Sequence, residues 1–230
     1  DTADVYGNKG KSEIFLGKAL GKKRHQIILA TKFGLPMSDH LYHKGGSRRH
    51  IINSVEDSLR RLNTDYIDLY QIHRPDIETP IEETLKALHD LITSGKVRYI
   101  GCSNFTAWQV IESRWKVDMF GLENFISAQN GYSIINREIE NDLTHLAIKY
   151  SFGILPYFPL ESGLLTGKYK YKENPQKGTR LAAWSGRAEA INKFWSKDNF
   201  DKLAKLEKIS KKYNHSIIEL AFSWLLSRPY

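Results

Sequence analysis

What most constrains this chain is an alternation: short apolar runs, each closed by a polar residue, separated by stretches with helical spacing. The runs lie at 26–31, 66–72, 97–102, 125–129 and 153–157. Between them, Ser12 is placed to cap a helix carrying Phe15, Leu16, Ala19 and Leu20 and ended by Gly21. Ser47 is placed to cap another, whose Ile51, Val55, Leu59 and Leu62 share one face. Thr79-Pro80-Ile81-Glu82 predicts a third start, with a capping threonine, proline at the first helical position and a glutamate closing the box; Gly95 ends it. Further helices are expected near 106–116, 136–150 and 199–213, and from Ser216-Ile217-Ile218-Glu219 over 216–227.

Buried-type strands alternating with helices predict a parallel α/β fold. A doubly wound nucleotide fold carries Gly-x-Gly-x-x-Gly after its first strand, and the sequence has none. Instead, each run ends at a polar residue: Lys32, His73, Ser103 with Asn104, Gln129, and Tyr157. In a (β/α)8 barrel all strand C-termini open on one face, so such residues meet in one pocket. The pattern therefore predicts a TIM barrel, and the lack of a Pro/Ser-rich linker predicts a single domain over 1–230.

Composition narrows the partners. No apolar run approaches the ~18 residues of a membrane span, and no charged-then-apolar leader opens the chain, so a non-membrane, cytoplasmic protein is expected. The single cysteine, Cys102, fits a reducing compartment. The formal charge of +8 comes from scattered residues with short clusters such as Lys22-Lys23-Arg24. There is no basic stripe interleaved with stacking aromatics, so nucleic acid is not the expected partner. A solvated basic surface that helps attract a phosphorylated cofactor accounts for the charge.

Five segments, in order, resemble the aldo-keto reductase family. They are Asp1-Thr2-Ala3-Asp4-Val5-Tyr6-Gly7, Ala30-Thr31-Lys32-Phe33-Gly34, Gln71-Ile72-His73-Arg74-Pro75-Asp76, Gly101-Cys102-Ser103-Asn104-Phe105, and Tyr157-Phe158-Pro159-Leu160 with Gly163-Leu164-Leu165-Thr166-Gly167-Lys168-Tyr169. The resemblance implies an incomplete (β/α)8 barrel, its first strands lying upstream of Asp1 and its eighth strand and helix beyond Tyr230. It implies reduction of small carbonyl substrates by NADPH, with NADH left open because the family's 2′-phosphate grip lies in the missing C-terminal part. Substrate identity and oligomeric state stay open, and no metal is expected.

The resemblance also assigns roles. Tyr6 is the general acid; a free phenol, with a pKa near ~10, needs a nearby ammonium to exchange protons at neutral pH. Lys32 supplies that ammonium, Asp1 holds it, and His73 donates a hydrogen bond to the carbonyl oxygen. Ser103, Asn104 and Gln129 bind the nicotinamide carboxamide or, on a structural reading, cap strand ends. Tyr157 stacks on the nicotinamide or packs in the core. Backbone amides across Leu160, Ser162, Gly163 and Leu164 bind the pyrophosphate, and Lys168 adds a phosphate contact or stands in solvent. Selectivity falls to loops 33–47 and 160–197, where Tyr169, Tyr171, Trp184 and Trp195 form a lid or pack the loop down. A second implied reading is a nucleotide-sensing regulator of the potassium-channel β-subunit type. As the family pattern is described, such regulators replace the histidine found here at position 73.

Overall fold

A computed structural model describes residues 1–183 and 194–230. Its strands are β1 (Ala30–Phe33), β2 (Ile67–Ile72), β3 (Val97–Ser103), β4 (Ser127–Gly131) and β5 (Gly153–Tyr157), hydrogen-bonded in sequential order. The first four pair in parallel, with Lys32 opposite Gln71, Gln71 opposite Gly101, and Ser103 opposite Gln129. Helix α1 (Tyr6–Leu20) precedes β1, and α2 (Arg48–Leu62), α3 (Ile81–Thr93), α4 (Ala107–Phe120) and α5 (Leu143–Tyr150) separate the strands. Then follow α6 (Arg180–Ala183), α7 (Lys197–Lys212) and α8 (Ile217–Leu226). Sequential parallel strands with helical crossovers are the build of consecutive βα units in a (β/α)8 barrel, here five strands that do not close.

The chain divides into two units, residues 1–130 with 145–155 and residues 131–144 with 156–230. In the first, Leu29, Phe33, Ile67 and Ile72 of the β1–β2 region and Ile51, Val55, Leu62, Leu85 and Leu88 of α2 and α3 are buried. Each such burial contributes about 1.5–3 kcal/mol. In the second, Leu164, Leu165, Tyr169, Leu181, Phe194, Phe200, Leu203 and Ala221 form a separate core. Trp195 packs between Tyr169 and Phe200, with ring centroids 5.3 and 5.0 Å away, and Tyr171 lies 5.3 Å from Phe200. These aromatics pack against one another within their own unit; Trp184 lies outside the described residues.

Three local expectations fail for physical reasons. The first strand begins at Ala30 rather than at residue 26, and Ile28 is 83% exposed. Upstream, the buried Arg24 guanidinium holds the Ile27 and Tyr66 carbonyls, and the Leu29 amide donates to the Asp68 carboxylate, so the ladder starts later. In α1, Gly7, Asn8, Lys9 and Gly10 all have left-handed φ, from 61° to 105°. Right-handed helix therefore begins beyond them, and the Ser12 hydroxyl bonds Thr2 Oγ1 at 2.8 Å instead of capping. The buried side of α1 is Gly10, Glu13 and Gly17, leaving Phe15 66% exposed. Gly17 sits on the end of α2, where a Cβ would lie 2.6 Å from the Leu62 carbonyl, so close helix contact replaces an apolar seam. Thr79 does not cap α3; its hydroxyl donates to Asp76 Oδ2 at 2.7 Å, and Pro80 occupies the cap position. The Ser47 cap and the Ser216–Glu219 capping box form as expected.

Candidate active site

Residues 1–4 run alongside β1, the Thr2 amide donating to the Ala30 carbonyl (2.9 Å) and the Asp4 amide to the Lys32 carbonyl (3.0 Å). This register sets Asp1 beside Lys32. The Lys32 side chain is fully buried, and Nζ donates to Asp1 Oδ1 (2.9 Å), Asp1 Oδ2 (2.8 Å) and the Thr2 carbonyl (2.9 Å). Three acceptors at these distances suit the three protons of an ammonium. Burial nevertheless pulls the Lys32 pKa down to about 8, with the charge of Asp4 acting in the opposite direction.

The left-handed turn that follows Tyr6 presents its ring, 42% exposed, to this ammonium at 5.3 Å from the ring centroid. His73, at the end of β2, meets the same ring edge-on with centroids 5.6 Å apart. Burial and the Lys32 and Arg74 charges push the His73 pKa down to about 4, so its imidazole is neutral at neutral pH. The four expected catalytic residues are thus drawn together in the first unit.

Two participants escaped the sequence reading. Gln71 is fully buried, stands two residues before His73 on the same strand face, and donates from Nε2 to Asp1 Oδ1 at 3.3 Å. The period-2 spacing from His73 was the available signal. The Thr2 carbonyl, a main-chain ligand to Lys32, carried none.

The ends of β3 and β4 are stitched together. Ser103 Oγ donates to the Gln129 carbonyl (2.8 Å), and the Asn104 amide donates to the same carbonyl (3.0 Å). Asn104 adopts a left-handed φ of 61°, and its Nδ2 donates to the His73 carbonyl (2.9 Å) and Ser103 Oγ (3.1 Å). The carboxamide candidates therefore also brace the histidine strand end.

In the second unit, the Tyr157 ring lies against Gly131, where a Cβ would come within 3.2 Å of it and the ring would have to give way by a few tenths of an ångström. Sequence reading passed over Gly131, whose signal was a glycine directly beyond a polar strand end. Ser162 and Gly163 have left-handed φ of 56° and 96°, and Ser162 Oγ is buried without a hydrogen-bond partner. Lys168 is exposed, with Nζ 3.1 Å from the Cβ that Gly163 lacks. The Glu161 and Gly163 amides already donate within the segment, to the Phe158 and Leu160 carbonyls, so the run of amides expected across 160–164 is partly used internally.

Among the described residues, no cluster of His, Cys, Asp and Glu could hold a metal ion, and no helix is long and apolar enough to cross a membrane. Consecutive βα units thus bring a lysine, a tyrosine and a histidine side chain together beside β1 and the end of β2. The aldo/keto reductase family model matches residues 1–230, and the chain belongs to that family. It is 37% identical to aldo-keto reductase YhdN of Bacillus subtilis, covering 100% of this chain and 67% of that protein. It is 34% identical to a putative aryl-alcohol dehydrogenase of Saccharomyces cerevisiae, covering 99% and 70%, and 33% identical to a putative voltage-gated potassium channel subunit β of Schizosaccharomyces pombe, covering 100% and 68%.

Proposed function

We propose that this chain reduces small aldehydes or ketones to alcohols with NADPH, Tyr6 acting as general acid. The observation that carries the reading is the fully buried Lys32 ammonium, held by Asp1 and the Thr2 carbonyl beside the Tyr6 ring. The cofactor, when bound, supplies the hydride to the carbonyl carbon. Tyr6 gives its phenolic proton to the carbonyl oxygen, and the developing phenolate is stabilised by Lys32. His73, neutral near pH 7, donates a hydrogen bond that orients the oxygen and stabilises its negative charge; it does not compete as the acid. Asp1 and Gln71 fix the lysine.

Residues within each unit suit parts of such a cofactor. Ser103, Asn104 and Gln129 offer side-chain donors and acceptors to a carboxamide, and Tyr157, seated on Gly131, offers a flat face to the nicotinamide. Leu160, Ser162, Gly163, Leu164 and Lys168 would hold the phosphates, the orphaned Ser162 hydroxyl and the adjacent ammonium being suited to an anion. Residues 1–230 serve as one reductase domain in this reading, and the buried Cys102 thiol accords with a cytoplasmic setting.

The likeness to a potassium channel β subunit supports a second reading, nucleotide binding for regulation. NADPH and NADH fluorescence titrations, followed by cofactor consumption on 4-nitrobenzaldehyde, separate the two. Tight NADPH binding with turnover supports the reductase; binding without turnover favours the regulator.

A further inference from the structure

The two faces at the β1 edge carry different charges. Asp1 faces Lys32, whereas Thr2 reaches back to Ser12 of α1. Asp4 lies behind the sheet as well, within electrostatic reach of Glu13 of α1, Arg61 of α2 and Tyr70 of β2 on that side and of Lys32, whose side chain faces the other way. On that side Glu13 is fully satisfied, accepting from Thr31 Oγ1 and from Arg61 Nε, both at 2.6 Å. Asp4 is not: it is 1% exposed, no side chain bonds its carboxylate, and only the Val5 backbone amide approaches it. A buried carboxylate with so little to bond it is costly, and the cost falls when the group is protonated. Two residues away stands the tyrosine, and the Asp4 amide is bonded to the carbonyl of the catalytic lysine.

We propose that Asp4 is a positioning residue of the active site, a titrating carboxyl behind the sheet whose ionisation sets how firmly Lys32 keeps its proton and hence the upper pH limit of carbonyl reduction. The inference rests on the assignment of Tyr6 and Lys32 above. Burial and the Glu13 charge hold the Asp4 pKa up, at about 7, with Arg61 and Lys32 opposing. As pH rises through that value, the new carboxylate strengthens the Lys32 ammonium, whose pKa of about 8 is the balance of burial pulling it down and the Asp4 charge holding it up. The pair therefore keeps the ammonium beside Tyr6 at a pH where a lone buried lysine would begin to lose it. Asp4 touches neither substrate nor cofactor in this role.

The test is the pH profile of kcat/KM for NADPH-dependent reduction in wild type, Asp4→Asn and Tyr6→Phe. Asp4→Asn should move the alkaline limb to lower pH by at least half a unit, about threefold in proton concentration. An unmoved limb in a folded, active Asp4→Asn overturns the proposal while loss of reduction in Tyr6→Phe still upholds the catalytic reading. Retained reduction in Tyr6→Phe defeats that reading first. If Asp4→Asn does not fold, carbon NMR of the wild type decides. One aspartate carboxyl titrating near neutral pH, with a step at the same pH in the Lys32 Cε resonance, supports the coupling; aspartates that all titrate in the ordinary acidic range refute it.

Discussion

On the inner face of the β1 edge, Asp1, Lys32 and Gln71 are joined by hydrogen bonds centred on an ammonium whose three protons are all used. On the outer face, Glu13, Arg61 and Thr31 form an equally complete set, but no side chain bonds the Asp4 carboxylate beside them. The strand β1 thus carries a charge arranged for chemistry on one side, and on the other a threonine bonded to an ion pair between two helices. The difference teaches that satisfaction alone does not mark the functional group. Lys32 is marked by what lies next to it, a half-exposed phenol and a neutral imidazole.

If the faces divide this way, substitutions on the inner one should cost activity and those on the outer one stability. The largest effect is expected for Tyr6→Phe, which should lower kcat for carbonyl reduction by between about a hundredfold and ten-thousandfold, with NADPH affinity changed less than about threefold. Stopped-flow and fluorescence titration check the two halves. Next comes Glu13→Ala, which leaves Arg61 and Thr31 without their acceptor. It should cost about 3–5 kcal/mol of stability by urea unfolding. Lys32→Met, in contrast, should abolish reduction at a smaller cost in urea midpoint than Glu13→Ala, because the Asp1 carboxylate it leaves behind is 44% exposed and open to water. A Lys32→Met chain that unfolds as readily as Glu13→Ala would erase the distinction between the faces.

Asp4 gives a signed pH dependence. Its folded pKa, about 7, lies above the ordinary 3.8, so its contribution is fully present below that ordinary value and is lost as pH rises through about 7. Unfolding free energy of the wild type should therefore decline across this window by a few kcal/mol at most, at about 1.4 kcal/mol per pKa unit. Asp4→Asn should flatten the decline, as read by urea midpoints at a series of pH values. The smallest effect is expected for Gly17→Ala, at roughly 1–3 kcal/mol, because its Cβ would press on the Leu62 backbone and α1 must shift away from α2.

Part of the inner face was legible in the sequence: a polar residue closes each apolar run, which marked Lys32 and His73, while the resemblance to a family supplied Asp1 and Tyr6. Gln71 was missed although strand period 2 aligns it with His73. The strand β5 and the Ser47 and Ser216 caps could be read from the sequence. The outer face could not be read. Asp4 is unusual only for side-chain partners it does not have, a tertiary fact that no spacing carries. The expected apolar seam of α1 failed because the four left-handed residues after Tyr6 reset the helix face, and glycine made the helix contact through backbone. Thr79 failed because a nearer acceptor, Asp76, took its hydroxyl.

Under the proposed function Tyr6, held beside a buried ammonium, protonates the carbonyl oxygen. The most direct test is a single-turnover measurement, mixing preformed protein–NADPH complex with 4-nitrobenzaldehyde in wild type and Tyr6→Phe at equal cofactor occupancy. The account predicts rapid cofactor oxidation in the wild type and a rate at least about a hundredfold slower in the variant. Equal rates in the two would contradict it.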